Sequence, residues 1–105
     1  MTREEEIYKL LQGVFHKERD HLTGHKVVLF GSRARKIAKA RADFDIGVIG
    51  EEPLPLEDFY YLADQLENLP TLYRLDWVDL ARVGETFRRA ALADSVVIYE
   101  PEDAH

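Results

Sequence analysis

The chain is 105 residues long, 46% hydrophobic, 32% charged and 10% aromatic. That is one domain's worth of sequence, apolar enough for one core, with no apolar run near the roughly 18 residues a membrane span needs. Cysteine is absent, which excludes disulfides, thiolate metal sites and cysteine nucleophiles. The opening MTREEEIYKLL is acidic and amphipathic, unlike a secretory signal or a transit peptide; a cytoplasmic address is the expectation. The net charge of −6 argues against general nucleic-acid binding, which draws on a surplus of Lys and Arg. The charge is uneven. Between Leu22 and Ala42 stand Lys26, Arg33, Arg35, Lys36, Lys39 and Arg41 without one acid, giving +6 there and −12 elsewhere. Read alone, that segment is a local anion site or a solvated basic loop.

Thr2 and Glu5 have the spacing of a capping box. Ile7, Leu10, Leu11, Val14 and Phe15 then follow at helical period, predicting an amphipathic helix that ends near Arg19–Asp20. Val27 to Phe30 reads as a buried strand, broken by Gly31-Ser32, with a short helix from Arg33 to about Ala38. Asp43 to Ile49 alternates: Phe44, Ile46 and Val48 on one face, Asp43, Asp45 and Gly47 on the other. Pro55 suits a first helical position, and Leu56, Phe59, Ala63 and Leu66 stripe a helix that stops before Pro70. Leu72 to Leu80 alternates again, with Tyr73, Leu75 and Trp77 on one side. A helix over Thr86–Ala93 and a strand over Val96–Tyr99 complete the chain. The order α-β-α-β-α-β-α-β predicts an α/β (α+β) sheet protein with one sheet face left open. The whole chain, 1–105, reads as a single domain.

Three features carry chemistry. Gly31-Ser32 follows a strand and opens a helix, where bare backbone and unpartnered N–H groups favour phosphate. Arg33, Arg35 and Lys36 would add charge; the plain alternative is an ordinary turn. Asp43 and Asp45 project from one strand face about 7 Å apart. They repel each other and disfavour a strand, so either a cation offsets the cost or the pair simply faces water. Oxygen donors without His or Cys suit Mg²⁺ or Mn²⁺ rather than zinc. On the third strand, parity separates Asp76, opposite the apolar set, from Asp79, which shares it. If that strand neighbours the second, Asp76 joins Asp43 and Asp45 on the open face, while Asp79 ends the strand or binds loop backbone. Three carboxylates holding two metals suit phosphoryl or nucleotidyl transfer, with Asp76 placed to act as general base.

Gly31-Ser32, ten intervening residues, then Asp43-Phe44-Asp45 resembles the GS-x10-DxD signature of the nucleotidyltransferase superfamily that includes DNA polymerase beta. The longer stretch GSRARKIAKARADFDIGV is similar to the minimal nucleotidyltransferases (MNT proteins), small members paired with a helical HEPN protein. Arg74 to Leu80 resembles their third-aspartate strand, and the likeness runs from about Val27 to Tyr99. Ala42 departs from it, since many relatives carry Ser there. The resemblance implies a nucleotidyltransferase fold, a short mixed sheet with helices on one face and the active site on the other. It implies metal binding by Asp43, Asp45 and Asp76, and nucleotide binding by Gly31, Ser32, Arg33 and Arg35. It also implies ATP as co-substrate, Mg²⁺ (two ions, Mn²⁺ as a substitute) and a HEPN-type partner in a hetero-oligomer. Several MNT proteins are antitoxins that transfer AMP to a tyrosine of that partner. Two other functions stay open: a subunit that neutralises a HEPN partner by occlusion, and transfer to a small molecule.

The remaining candidates are weaker. His16, His21, His25 and His105 make no ligand pattern, and Ser32 and Ser95 have no His-Asp partners for a hydrolase triad. Trp77 and Tyr60-Tyr61 read as packing residues rather than a base-stacking platform.

Overall fold

A computed structural model describes residues 2–36 and 42–101. The first helix, α1 (Arg3–Lys17), starts where expected, with the Thr2 hydroxyl accepting from the Glu5 N–H at 3.1 Å. It stops at Lys17, two residues early, because Glu18 leaves helical geometry and a 3-10 turn, Arg19–Leu22, follows. That turn drops Leu22 into the core.

Strand β1 (His25–Phe30) runs into a single-turn helix, α2 (Gly31–Ala34). The helix expected from Arg33 to about Ala38 instead opens at Gly31 and ends at Ala34, because Arg35 caps it and Lys36 turns to a φ of +58°; residues 37–41, with Lys39 and Arg41, lie outside the described residues. Then come β2 (Phe44–Gly50), α3 (Leu56–Glu67), β3 (Leu75–Asp79), α4 (Glu85–Ala93) and β4 (Val96–Tyr99). β3 is shorter than the alternation from Leu72 predicts. The Thr71 hydroxyl captures the Tyr73 N–H at 3.1 Å, so Tyr73 is held in a turn and cannot enter the ladder. On α3 the buried positions are Leu62 and Leu66, while Leu56 is exposed in the first turn.

The sheet order is β3-β2-β1-β4. β1 is antiparallel to both β2 and β4, and β2 is parallel to β3. This is a short mixed sheet, as the resemblance implies. Alternation then sorts the side chains. Val27, Leu29, Phe44, Ile46 and Val48 face α1 and α3 and build the main core with Leu11, Phe15 and Leu62. Val28 and Phe30 point the other way and meet Leu80 and Ala91 in a smaller cluster. So α4 packs on the second face, which is only partly open.

Two histidines have structural tasks. His25 is buried, its ring nitrogens 2.8 Å from the carbonyls of Thr23 and Glu52. His21 lies 2.7 Å from Asp58 and stacks on Tyr61. Trp77 packs between Phe15 and Phe59, as expected of a packing residue. Tyr60 does not follow that expectation, for it stands exposed on α3.

Candidate active site

The two acidic strands are neighbours. β2 and β3 pair in parallel with Asp45 opposite Asp76, which puts their backbones about 4.8 Å apart. Both side chains occur at positions whose neighbours, Phe44, Ile46 and Trp77, turn to the main core; the acids therefore share the other face. Asp43 precedes the first residue of β2, and its neighbours are pinned on both sides. The Phe44 N–H donates to the Arg74 carbonyl at 3.0 Å, and Arg33 Nη2 donates to the Ala42 carbonyl at 2.7 Å.

Electrostatics shows the crowding. The Asp45 carboxyl is pushed above its ordinary range, first by burial, then by the charges of Asp76 and Asp43. A hard divalent cation is the ligand that relieves such a set, because all the donors are carboxylate oxygens. The carboxylates are close without converging: among the described residues no three His, Asp or Glu meet at a common point. Asp76 Oδ1 instead accepts from Arg74 Nε at 3.1 Å. A shared cation would take the place of that guanidinium.

Gly31 closes the site from the β1 side. Its φ is +75°, and a carbon added at its Cα would collide with the Asp45 carboxylate. Glycine is needed here twice over, for the left-handed backbone and for the close approach. Gly31, Arg35, Asp45 and Asp76 line a cleft of about 450 Å³. Val78, beside Asp76 on β3, and Phe87, Ala90 and Ala91 of α4 give it an apolar lining. With a single turn, α2 has only a small dipole, and among the described residues Arg35 is the cation that lines the cleft.

Ser32 is half-buried beside Gly31, outside the cleft lining as is Asp43. Arg33 differs most from expectation. Its side chain is buried on the core side, with the guanidinium 4.3 Å above the Phe44 ring and 5.2 Å from the Tyr73 ring. It also donates to Glu4 at 3.3 Å. A phosphate on the open face is out of its reach, so a nucleotide-binding part is replaced by a positioning one: Arg33 holds the Ala42–Phe44 backbone from behind. The reason is local geometry: Arg33 sits in α2 and Arg35 caps it, and two residues on in a helical turn the side chain points to a different side, so Arg35 takes the cleft.

Asp79 is also on the core side, as its parity requires. It is 3% exposed and accepts from the Leu54 N–H at 2.8 Å and the Ala81 N–H at 2.9 Å. It ties β3 to the segment entering α3. Sequence reasoning missed the α4 wall. The signal was present, because Phe87, Ala90, Ala91 and Asp94 recur at helical period and all line the cleft.

The family described as Polymerase beta, Nucleotidyltransferase matches residues 14–104. The chain is a nucleotidyltransferase of that family. A curated relative, "Probable protein adenylyltransferase MntA" of Haemophilus influenzae, is 35% identical over 78 residues, covering 74% of this chain and 68% of the relative. Among solved structures, this nucleotidyltransferase shares its fold with a toxin-antitoxin complex containing AMP-PNP. That match has a TM-score of 0.57 at 23% identity, over 96% of this chain and 76% of the other. It also shares its fold with the complex of tri-AMPylated Shewanella oneidensis HEPN toxin and MNT antitoxin. There the TM-score is 0.56 at 21% identity, over 90% of this chain and 73% of the other. Among the described residues of this nucleotidyltransferase, no helix is long and apolar enough to cross a membrane.

Proposed function

We propose that this nucleotidyltransferase moves AMP from ATP onto a hydroxyl of a partner protein, as the antitoxin of a HEPN–MNT pair. The observation that carries the reading is Asp45 opposite Asp76, with the bare backbone of Gly31 against Asp45. The name of the Haemophilus influenzae relative, a protein adenylyltransferase, supports the acceptor class. The acidic surplus, −6 overall, suits a protein partner better than nucleic acid. On this reading residues 1–105 form one nucleotidyltransferase domain acting in the cytoplasm, where ATP is made available.

Each residue has a part. Gly31, Ser32 and Arg35 receive the triphosphate tail. Asp43, Asp45 and Asp76 would hold Mg²⁺, as two ions, with Mn²⁺ as a substitute. When bound, Mg²⁺ supplies charge neutralisation at the phosphates and polarises the phosphorus under attack. Asp76 accepts the proton of the acceptor hydroxyl. The cleft walls exclude water that would otherwise compete as acceptor.

The test is transfer of label from ATP carrying radioactive α-phosphate to a co-purified HEPN-type partner. Asp43→Asn and Asp45→Asn should each abolish labelling while both proteins remain folded and associated. Full labelling by either variant would overturn the reading. The Arg74–Asp76 contact favours one alternative, in which the chain binds nucleotide and neutralises its partner by occlusion. Neutralisation that survives Asp45→Asn would select that alternative.

A further inference from the structure

We propose that the groove along the outer edge of β3 is the acceptor channel, taking an extended polypeptide segment that presents a hydroxyl side chain at Asp76. This rests on the nucleotidyl-transfer reading above and adds the direction from which the second substrate arrives.

The strand order lays the reacting groups in a row. Gly31 directly follows β1, Asp45 lies in β2 and Asp76 lies in β3, which is the edge of the sheet. Displacement at phosphorus runs in line, with the attacking and leaving oxygens on opposite sides. With the pyrophosphate toward Gly31 and Arg35, the attacking oxygen has to come from beyond β3. A second groove of about 460 Å³ lies there, between the β3 edge and the end of α3. Asp76 lines both the groove and the nucleotide cleft, and Arg74 stands beside it in the groove.

The groove suits a peptide backbone. The Arg74 carbonyl and the Leu80 N–H bond inward to β2. Alternation along the strand therefore turns the main-chain groups of Leu75 and Trp77 outward, an open edge that an extended segment can extend. Ala63, Leu66 and Tyr73 give its floor apolar sites for side chains. Leu72, between the lining residues Thr71 and Tyr73, is fully exposed, and Tyr60 is exposed on the α3 face that carries Ala63 and Glu67. A nucleic acid fits poorly, because among the described residues the lining has one cation, Arg74, against Glu67 and Asp76.

The step balances without further reagents. The acceptor oxygen forms a bond to the α-phosphorus of ATP, and the bond from that phosphorus to the bridging oxygen breaks. Pyrophosphate leaves with the electron pair, and the hydroxyl proton passes to the Asp76 carboxylate.

The probe is a synthetic unstructured nonapeptide with one central tyrosine, assayed with radiolabelled ATP and Mg²⁺. A twin peptide carries N-methyl groups at alternate residues, and an oligoribonucleotide with a free terminal hydroxyl is the competing acceptor. Wild type should label the plain peptide, and label the N-methylated twin about tenfold less or weaker. Ala63→Arg, which fills the groove, should lower peptide labelling by about tenfold while ATP still raises the melting temperature as in wild type. Leu72→Ser, at an exposed position that cannot upset folding, should lower it in the same direction. The groove is refuted by equal labelling of both peptides, by unchanged labelling with Ala63→Arg, or by a wild type that binds ATP yet labels only the oligonucleotide or nothing. A wild type that binds no ATP refutes the transfer reading itself.

Discussion

Gly31 and Asp45 stand so close that the glycine's missing side chain is what gives the carboxylate its place. Gly31→Ala should therefore fail twice. The left-handed backbone costs about 1–2 kcal/mol for an L side chain, and the new methyl displaces Asp45 from Asp76. Transfer should fall by about a hundredfold, the scale of an ångström-sized misplacement. Gly13→Ala is the control, since α1 has open space there and helix propensity should add about 0.5–1 kcal/mol. Urea denaturation and labelled-AMP transfer read the two effects separately.

Asp76 and Asp79 sit three residues apart on one strand and do opposite work. Asp79→Ala leaves the N–H groups of Leu54 and Ala81 without their acceptor, and should cost roughly 3 kcal/mol of stability. Asp76 is half-buried, and its protein partner is the exposed Arg74. Asp76→Asn should change stability by no more than about 0.5 kcal/mol yet abolish transfer. Paired melting curves and transfer assays check the contrast.

Arg33 in α2 and Arg35, which caps it, should separate in the same way. Arg33→Ala removes a buried guanidinium, its bond to Ala42 and its seat on Phe44, and should cost about 2–3 kcal/mol. Arg35→Ala should leave the melting temperature near wild type and weaken ATP binding by about tenfold, since it removes one charge-assisted phosphate contact. Titration of a fluorescent ATP analogue distinguishes them.

Asp45 should give the metal-free protein a pH signature. Its carboxyl is raised by burial and by Asp76 and Asp43, so the folded state binds the proton more tightly than the unfolded chain. Stability linked to this group is then fully present below the ordinary carboxylate range and is lost as pH rises through the raised value. Without divalent ions, Asp45→Asn should melt higher than wild type at neutral pH, and the gap should close on acidification. Mg²⁺ should raise the wild-type melting temperature and leave that of Asp45→Asn unmoved. A variant that melts below wild type at neutral pH would contradict this.

Much of the site is readable in the chain because its signals are local. Period-two alternation places Asp43 and Asp45 on one face and separates Asp76 from Asp79, whatever the strand's neighbours are. The Gly31-Ser32 break after a buried strand likewise needs only its own residues. Arg33 shows where local reasoning stops: it and Arg35 look alike in a basic run, and only packing against Phe44 and Tyr73 tells them apart.

By itself, then, the sequence determined the elements, the faces of the acidic strands and the family motif, because each depends on residues a few positions apart. Tertiary structure alone decided that β3 lies parallel beside β2 with Asp76 opposite Asp45, that α4 walls the cleft, and that β3 is the edge strand among the described residues. Those are relations between segments some thirty or more residues apart, and strand order and register come from how the whole sheet buries its apolar face rather than from any one strand.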